Sequence, residues 1–474
     1  MRKLTLAPPV FAFSRLDAGE THEIVWEIRK GKAVSWSDFV AGVWEYSFDR
    51  LHPQPMTPRM GTEEAKALLS RFYTQSYTDS HPLKYYSGVE LRIADCRPNG
   101  LAETGFLGRV LLNAFNALEY GLSHSREDLA ADARAVFDSY LEHGFTPGGF
   151  FRERVYFDSD PAGYEDGIYS IRRQSESIYA ILLYLDFEKR SGRSHPEWEN
   201  RISALLDRLT ELQNEDGSFP RKFSDAMEVK DPSGGSSSSA ILPLTMGYRY
   251  FGDKSLLKAA ERTAEYLETG LISEADYFSS TLDANCEDKE ASLYAATAMY
   301  YMALVEKDGK KAAHYSELCR DAAYFALSWY YLWDVPFAQG QMLGDVGFKS
   351  RGWGNVSVEN NHVDVFIFEF ADVIDYLAGV YGDGRFSAMS GIIRSSMLQL
   401  IPEKGSMYGI ALEGYCPEVV QHTNWDYGRN GKGFYNDIFA PGWAVASLWQ
   451  MLSPGRAADY FGKASETTKV LPPM

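Results

Sequence analysis

The 474-residue chain has few cysteines and no long apolar run. Its four cysteines are scattered without CxxC spacing, which argues against a zinc site and a disulfide framework. No apolar run approaches the length of a membrane-spanning helix, so we expect no membrane contact. Lys and Arg form no cluster and the formal net charge is −18. A nucleic-acid partner is therefore not expected, because such proteins carry a basic patch.

Several catalytic motifs are also missing. The chain has no HExxH and no Cys/His ligand spacing, so we expect neither a metal nor a cofactor. The glycine-rich segment GRNGKG at 428–433 lacks the spacing of a P-loop and follows no predicted strand. No GxSxG nucleophile elbow is present either. The sequence therefore favours acid–base chemistry by carboxylates without a metal or cofactor.

The N-terminus reads MRKLTLAPPVFAF, a positive start followed by an apolar stretch. Pro8 and Pro9 interrupt that stretch and no small-residue cleavage site follows, so it differs from a signal peptide. We expect a cytoplasmic location, with secretion left open. Residues 1–34 alternate apolar and polar, which predicts a strand pair or an extended arm. Such an arm could contact a neighbouring domain or a second copy of the chain.

From Ser35 onward the pattern is helical, and two kinds of helix alternate. One kind has a charged face and a buried stripe, as in REDLAADARAVFDSYLEHG. The other is apolar nearly all round, as in EASLYAATAMYYMALV, and belongs inside. We predict the amphipathic helices at 62–79, 126–143, 196–214, 255–270, 311–331 and 385–400. We predict the apolar helices at 102–121, 172–189, 236–250, 287–305, 361–381 and 437–452.

This alternation predicts an all-α fold, a ring of six helical hairpins or (α/α)6 toroid over residues 35–474. Links from an apolar helix to the next amphipathic one are short, and links in the other direction are long. Long connections inside a compact domain tend to carry function. All of the long links must meet at one end of the ring, beside the N-termini of the inner helices. We expect the working site at that end.

Polar clusters at the predicted starts of inner helices supply the site residues. The segment 357–366, SVENNHVDVF, holds Glu359 and Asp364 as possible general acid or base, and Asn361 and His362 as possible substrate ligands. Helix capping explains one or two of its polar residues but not five. Glu287 begins another inner helix, where Asn285 and Asp288 resemble a capping box that leaves Glu287 unexplained.

Two further clusters carry charge. Glu176 stands with Arg172 and Arg173 in IRRQSES. An arginine there could clamp an acidic sugar, set the pKa of a neighbouring carboxylate or form a structural salt bridge between loops. Asp216 precedes a glycine, which is first of all a turn signal. The long loops are also rich in aromatic residues, which either stack on sugars or pack the loops. The substrate-binding candidates among them are Trp353, Trp425, Tyr427 and the adjacent Asp426.

The alternating helices, together with QNEDGSFP after an amphipathic helix, resemble the six-hairpin glycosidase superfamily over residues 35–455. The resemblance implies paired carboxylates on the long-loop face as acid and base. Glu359 or Asp364 facing Glu287 or Glu176 fits that arrangement. A separation of about 5–5.5 Å would predict retention of configuration, and about 6.5–9.5 Å inversion. Similar toroids include polysaccharide lyases and sugar 2-epimerases.

The sequence therefore predicts a carbohydrate-active enzyme acting on an oligosaccharide or polysaccharide. A glycoside hydrolase with two carboxylates is the first interpretation. A polysaccharide lyase or sugar epimerase is the second, with His362, Asn361 and Arg173 as its residues. A carbohydrate-binding toroid without activity is the third.

Overall fold

The structure, a computed structural model, describes residues 16–158, 163–164, 167–278, 286–337, 342–358, 362–418, 420 and 437–463. Its α-helices follow the predicted order closely. They are α1 (Trp36–Leu51), α2 (Thr62–Ser76), α3 (Val110–Ser123), α4 (Glu127–His143), α5 (Ile171–Arg190), α6 (Pro196–Glu211), α7 (Ser237–Phe251), α8 (Lys254–Leu267), α9 (Lys289–Val305), α10 (Gly309–Ser328), α11 (Met342–Asp345), α12 (Phe370–Tyr381), α13 (Gly384–Ser396), α14 (Pro441–Met451) and α15 (Arg456–Tyr460).

The six apolar helices close into a ring. Each contacts the next in the order α3, α5, α7, α9, α12 and α14, and α14 returns to α3. The amphipathic helices α2, α4, α6, α8, α10 and α13 pack outside them, and α1 packs against α10. The predicted (α/α)6 toroid is confirmed.

Burial explains why each helix takes its place. Every residue of α9 is buried, as expected for a helix covered on all sides. In α8 the buried residues recur at helical spacing and the remaining face is solvated. These buried positions are Leu256, Ala259, Ala260, Thr263, Ala264 and Leu267. Removing this apolar stripe from water is the main term that holds the outer ring to the inner one.

Short antiparallel strands within the outer-to-inner connections tie these connections to one another. They form two-stranded sheets β1–β2, β10–β11 and β3–β12, and three-stranded sheets β4–β5–β6 and β7–β8–β9. The strands are β1 (Tyr77–Thr78), β2 (Tyr85–Tyr86), β3 (Glu90–Arg92), β4 (Leu101–Glu103), β5 (Arg154–Tyr156), β6 (Gly163–Tyr164), β7 (Tyr169–Ser170), β8 (Lys222–Phe223), β9 (Val229–Asp231), β10 (Gly354–Asn355), β11 (Val363–Asp364) and β12 (Asp437–Phe439). The long-loop end is therefore a connected layer of structure.

Three inner helices begin later than the sequence pattern predicts. Helix α3 begins at Val110 instead of 102, α12 at Phe370 instead of 361, and α14 at Pro441 instead of 437. The predicted starts are wrong because the residues before each helix pair with other loops as β4, β11 and β12. Apolar runs at these places have the same composition as a buried helix, so periodicity cannot separate the two.

The N-terminal arm is exposed where the structure describes it. Residues 16–34 contain a turn, in which Glu20 N donates to Asp17 O at 3.0 Å, but no strand. The arm returns over α1, where the Arg29 guanidinium lies 3.6 Å from the centre of the Tyr46 ring. Of the two predicted forms, the described part has the extended one. The domain division at residue 34 remains a prediction.

Candidate functional site

Charged and polar side chains from three inner helices, α3, α5 and α9, meet inside the ring at the long-loop end. We call this set the charge cluster. Arg109 caps α3, two residues come from the first turns of α5, and two come from the first turns of α9. Because α7 separates α5 from α9, these contacts cross the interior of the ring. The members are Arg109, Arg172, Glu176, Glu290 and Tyr294.

Glu176 is the centre of the charge cluster. Its Oε1 accepts from Arg109 Nη2 at 2.9 Å, from Arg172 Nε at 3.0 Å and from the Tyr294 hydroxyl. Its Oε2 accepts from the backbone N–H of Phe106. Burial alone would raise the pKa of this carboxyl, but the two guanidinium groups and the hydrogen bonds lower it to about 2. Glu176 is therefore a carboxylate at any physiological pH, with both oxygens engaged.

The two arginines of the cluster are held by different means. Arg172 Nη2 lies 2.5 Å from Glu290 Oε2, which supplies a second counter-charge. The Arg109 guanidinium lies 5.2 Å from the ring centre of Phe366 and 5.3 Å from that of Phe368. Arg109 adopts φ of 45°, a left-handed conformation uncommon for a residue with a side chain. Strained backbone of this kind persists where the surroundings fix it, often at functional sites.

Arg173 lies beside the charge cluster but belongs to a structural network. Its Nε donates to Glu103 Oε1 at 2.8 Å, and its Nη1 lies 3.5 Å from Glu153 Oε2. Glu153 also accepts from Ser170 N at 2.8 Å and from Gln174 Nε2 at 3.0 Å. These contacts join β4, β5 and α5, which matches the salt-bridge interpretation of Arg173 between loops. Burial raises the pKa of Glu153 to about 7 although Arg173 opposes the rise.

A second buried group surrounds Lys289. The Lys289 ammonium donates to Asp364 Oδ1, and both side chains are fully buried. Burial raises the pKa of Asp364 to about 6, although Lys289 and His362 favour its charged form. His362 Nε2 lies 3.9 Å from Glu418 Oε1. Asp364 is thus ionised at neutral pH and protonated in mild acid.

His362, Asp364 and Glu418 have the residue types that bind divalent cations. Their ligand atoms all lie within 4.8 Å of one another. However, the Lys289 ammonium already occupies one side of Asp364, and a metal ion there would face a buried positive charge at close range. We therefore treat the group as an ion-paired cluster arranged around Lys289.

Glu287 lies just before α9, half-buried, beside Asp276. Its Oε2 accepts from the backbone N–H of Tyr277 at 3.1 Å. Burial, followed by the hydrogen bond and charge of Asp276, raises the pKa of Glu287 to about 7. The neighbouring Asp276 thus favours the protonated form of Glu287.

Backbone contacts place Glu287 and Asp364 in one corner of the long-loop end. Val358 N donates to Glu287 O at 3.3 Å, and Lys289 N donates to Val356 O at 2.9 Å. The same segment, at Gly354, pairs with Asp364 in the β10–β11 sheet. Residues 287–289 and 363–364 thus flank residues 354–358 on either side.

Two predicted site residues, Trp353 and Asp216, make packing and turn contacts. Trp353 is fully buried, its indole N–H donates to Ser396 O at 3.0 Å, and its ring packs against Phe348. Asp216 Oδ1 accepts from Ser218 N at 2.9 Å and forms the turn that its Asp-Gly sequence indicates. Neither contacts the charge cluster through a described hydrogen bond or ring contact. Their described roles are packing and turn formation.

Five predicted site residues lie outside the described residues. They are Glu359, Asn361, Trp425, Asp426 and Tyr427. Sequence reasoning also omits four charged residues from its site, namely Arg109, Lys289, Glu290 and Glu418. A charged residue at the apolar start of an inner helix is the available signal for Arg109 and Lys289. No local pattern marks Glu418.

No protein-family model and no curated protein sequence matches this chain. Several solved structures have a similar fold. A D-mannose isomerase matches at 10% identity with a TM-score of 0.56, covering 83% of this chain and 97% of the isomerase. A cellobiose 2-epimerase from Bacillus thermoamylovorans matches at 13% identity and TM-score 0.56, covering 82% and 98% of the two chains. One from Spirochaeta thermophila matches at 11% identity and 0.52, covering 82% and 96%.

These likenesses concern the fold. The chain has the (α/α)6 toroid that its sequence predicts. Fold alone does not assign a reaction, because one architecture supports many chemistries. Among the helices of the described residues, none combines the length and the apolar character that crossing a bilayer requires.

Proposed function

We propose that this protein is a carbohydrate-active enzyme that transfers protons at a sugar, at the long-loop end of the ring. The observation that carries the proposal is the position of Glu287 and Asp364, two carboxyl groups that flank residues 354–358 and whose pKa values are both raised toward neutrality. The pKa of Glu176 is about 2, that of Asp364 is about 6, and that of Glu287 is about 7. Carboxyl groups whose pKa values lie near the working pH can donate and accept protons there, whereas Glu176 stays ionised.

Glu287 is the proposed general acid and Asp364 the proposed general base. Near pH 7 a carboxyl group with a pKa of about 7 retains a proton in about half of the molecules, while one of about 6 is mostly ionised. In glycoside hydrolysis the acid protonates the leaving oxygen and the ionised carboxylate activates water or attacks the sugar. Glu359, in segment 357–366 with Asp364, is the alternative proposed partner of Glu287.

Glu176 is a positioning residue in this proposal. Its oxygens are engaged by Arg109, Arg172, Tyr294 and a backbone N–H, so it has little freedom to act on substrate. Together with Glu290 it balances the charge of both guanidinium groups and fixes them at the end of the ring. His362, beside Asp364, and Asn361 on the same segment are the proposed ligands for sugar hydroxyls. Trp425, Asp426 and Tyr427 are further proposed ligands.

A sugar epimerase or isomerase is the second proposal. The solved structures described above include a D-mannose isomerase and cellobiose 2-epimerases. Removing a proton beside a carbonyl builds negative charge on oxygen, which buried cations stabilise. Lys289 is fully buried, and Arg109 Nη1 has no hydrogen-bond partner among the described residues. These cations favour such an oxyanion intermediate, whereas hydrolysis develops positive charge on the sugar.

The test is product analysis on a panel of chromogenic glycosides, oligosaccharides and free sugars. Wild type is compared with Glu287→Gln and Asp364→Asn, and with Glu197→Gln on the exposed face of α6 as the control. We expect a loss of roughly 10²-fold or more in turnover for each site variant and none for the control. Circular dichroism and thermal melting confirm that each variant is folded.

The products separate the reactions. New reducing ends without absorbance of an unsaturated uronide support the hydrolase. That absorbance together with reducing ends would indicate a lyase. Conversion of a free or reducing-end sugar into its isomer, without new reducing ends, supports the epimerase. Binding without turnover of any substrate would contradict both proposals and leave the carbohydrate-binding toroid.

A further inference from the structure

An open cleft of about 750 Å³ lies among the long connections of α2–α3 and α4–α5, outside the charge cluster. One wall is the β1–β2 hairpin, another is β3 with the segment after it, and Asp158 contributes from the next connection. We call it the loop cleft. Its lining residues include Asp79, His81, Glu90, Arg92, Asn99 and Asp158.

The loop cleft contains a supported aromatic ring. The imidazole of His81 lines it, and Phe157 stacks behind that imidazole with ring centres 4.4 Å apart and planes inclined by 9°. Tyr85 extends the stack, with its ring centre 5.8 Å from that of Phe157. A ring that is held in place offers a flat surface to a ligand at low cost in conformational entropy. Sugars present apolar C–H faces to such rings.

The remaining lining is polar and of mixed charge. Asp79, Glu90 and Asp158 provide exposed carboxylates, and Arg92 and Arg97 provide exposed guanidinium groups. Carboxylates accept hydrogen bonds from hydroxyl groups and guanidinium groups donate to them. A single sign of charge does not dominate, so the lining fits a ligand with many hydroxyls better than a polyanion.

Hydrogen bonds join the walls of the loop cleft to one another. The Tyr85 hydroxyl donates to Asn99 O at 2.6 Å, and Asn99 Nδ2 donates to Glu90 O at 2.7 Å. Gly100 N donates to Asp158 Oδ2 at 2.7 Å. A Cβ on Gly100 would lie 2.2 Å from Asp158 Oδ1, so only glycine allows this approach. The loop cleft is therefore preformed, which reduces the cost of binding.

Strand β4 connects the loop cleft with the residues beside the charge cluster. Leu101 lines the cleft, while Glu103 bonds Arg173, the neighbour of Arg172. Two residues of extended chain span about 7 Å. Toward the proposed base, Glu90 of the cleft pairs with Phe439, Phe439 O accepts from Glu418 N at 2.9 Å, and Glu418 lies beside His362. A ligand that spans the two places must therefore consist of several linked units.

From these observations we propose that the loop cleft is a second sugar-binding site, which holds a further unit of an oligosaccharide whose reacting unit lies at the long-loop end of the ring. The inference rests on the proposed function and makes its substrate class an oligosaccharide or polysaccharide, not a free monosaccharide. The His81 ring is the stacking surface.

The experiment measures dissociation constants for neutral gluco-, manno- and xylo-oligosaccharides of one to six units, by titration calorimetry. The proteins are wild type, His81→Ala, His81→Phe and the control His314→Ala, which removes an exposed histidine from α10. We expect His81→Ala to weaken binding of the longer ligands by about 2- to 10-fold, the range for one aromatic contact. His81→Phe keeps a ring and should retain affinity.

Ligand length distinguishes the outcomes. Loss of affinity in His81→Ala for long ligands only, with the monosaccharide and the control unchanged, supports the second site. Equal affinity of His81→Ala and wild type at every length overturns it, even if wild type turns over sugars. If wild type binds longer ligands more tightly through His81 but converts none of them, the second site stands and the proposed function fails. Absence of binding at any length contradicts both.

Discussion

Glu176 shows most directly how charge is arranged at the scale of single residues. A buried carboxylate between two buried guanidinium groups is stable only as a set, because removing one member leaves an uncompensated charge. We expect Glu176→Gln to lower the free energy of unfolding by about 3–5 kcal/mol at pH 7. Chemical denaturation measures this, with Glu197→Gln on exposed α6 as the matched control.

The pH dependence of this loss has a defined sign. The folded-state pKa of Glu176 is lowered to about 2, below the ordinary value of 4.5. Its contribution is therefore present above about pH 4.5 and disappears as pH falls toward 2. Wild type and Glu176→Gln should converge in stability over that range. Equal stability of the two proteins at pH 7 would show that the charge cluster does not hold Glu176 as described.

Sequence reasoning locates several of these residues but not their partners. It singles out Glu176, Glu287, Asp364 and His362 because polar residues at the starts of apolar helices require an explanation. It misses Arg109, since the contact of Arg109 with Glu176 joins two helices that are far apart in sequence. Contacts of this kind follow from the closure of the ring and leave no local pattern.

At the scale of elements, turns fix how outer helices meet the loops. Gly217 has φ of 89°, and a Cβ there would lie 2.2 Å from Arg262 O in α8. Gly217→Ala combines a left-handed backbone with a backbone clash, so we expect it to lower the free energy of unfolding by about 2–4 kcal/mol.

Gly192 provides the matched control for this substitution. Its φ is 77°, but beyond its chain neighbours no atom lies within 4 Å of the position that a Cβ would take, so Gly192→Ala isolates the backbone cost. We expect about 1 kcal/mol for Gly192→Ala. Thermal or chemical denaturation compares the two variants. If Gly217→Ala were as stable as Gly192→Ala, the close contact between Gly217 and the backbone of α8 would be contradicted.

The elements themselves are largely predictable. The alternation of apolar and amphipathic stretches yields both series of helices, because periodicity reports which face of a helix is buried. The segments before α3 and α12 are not predictable as strands. Leu101–Glu103 pairs with β5, and Val363–Asp364 pairs with β10. Such pairing depends on which loops meet, and apolar composition alone does not reveal it.

At the scale of the whole molecule, one polar group joins four inner helices. Glu369, at the start of α12, accepts from the Tyr179 hydroxyl of α5 and from Gln450 Nε2 of α14 at 3.3 Å. Tyr301 of α9 also hydrogen-bonds to this carboxyl. Burial raises the pKa of Glu369 to about 7, although the tyrosines oppose the rise. The interior of the ring thus contains a carboxyl group that prefers to be neutral.

The raised pKa of Glu369 predicts how the stability of the ring depends on pH. Because the folded-state pKa of Glu369 is raised, the contribution of this carboxyl group to stability is complete below about pH 4.5 and is lost as pH rises through about 7. Glu369→Gln imitates the protonated group and should remove this loss. Between pH 5 and pH 9, we expect the free energy of unfolding of the variant to rise by about 2–3 kcal/mol relative to that of wild type. Chemical denaturation at the two pH values measures this change. An unchanged difference between the two proteins would contradict a buried neutral Glu369.

The closure of the ring can be inferred from sequence, and so can the end at which the long connections gather. Six apolar helices with long links on one side leave one arrangement in which every apolar helix is covered. The chemistry cannot be inferred to the same depth. The pKa values of Glu287 and Asp364 depend on Asp276 and Lys289, whose positions only the folded structure gives.

The measurement that tests the central claim most directly is the pH dependence of kcat/KM for wild type and Asp276→Asn on the best substrate of the panel. With Glu287 as the acid, wild-type activity should fall as pH rises through about 7. Asp276→Asn removes a neighbouring charge that raises the pKa of Glu287, so this limb should move to lower pH. A wild-type profile without that limb, or a limb that stays in place in Asp276→Asn, would contradict the account.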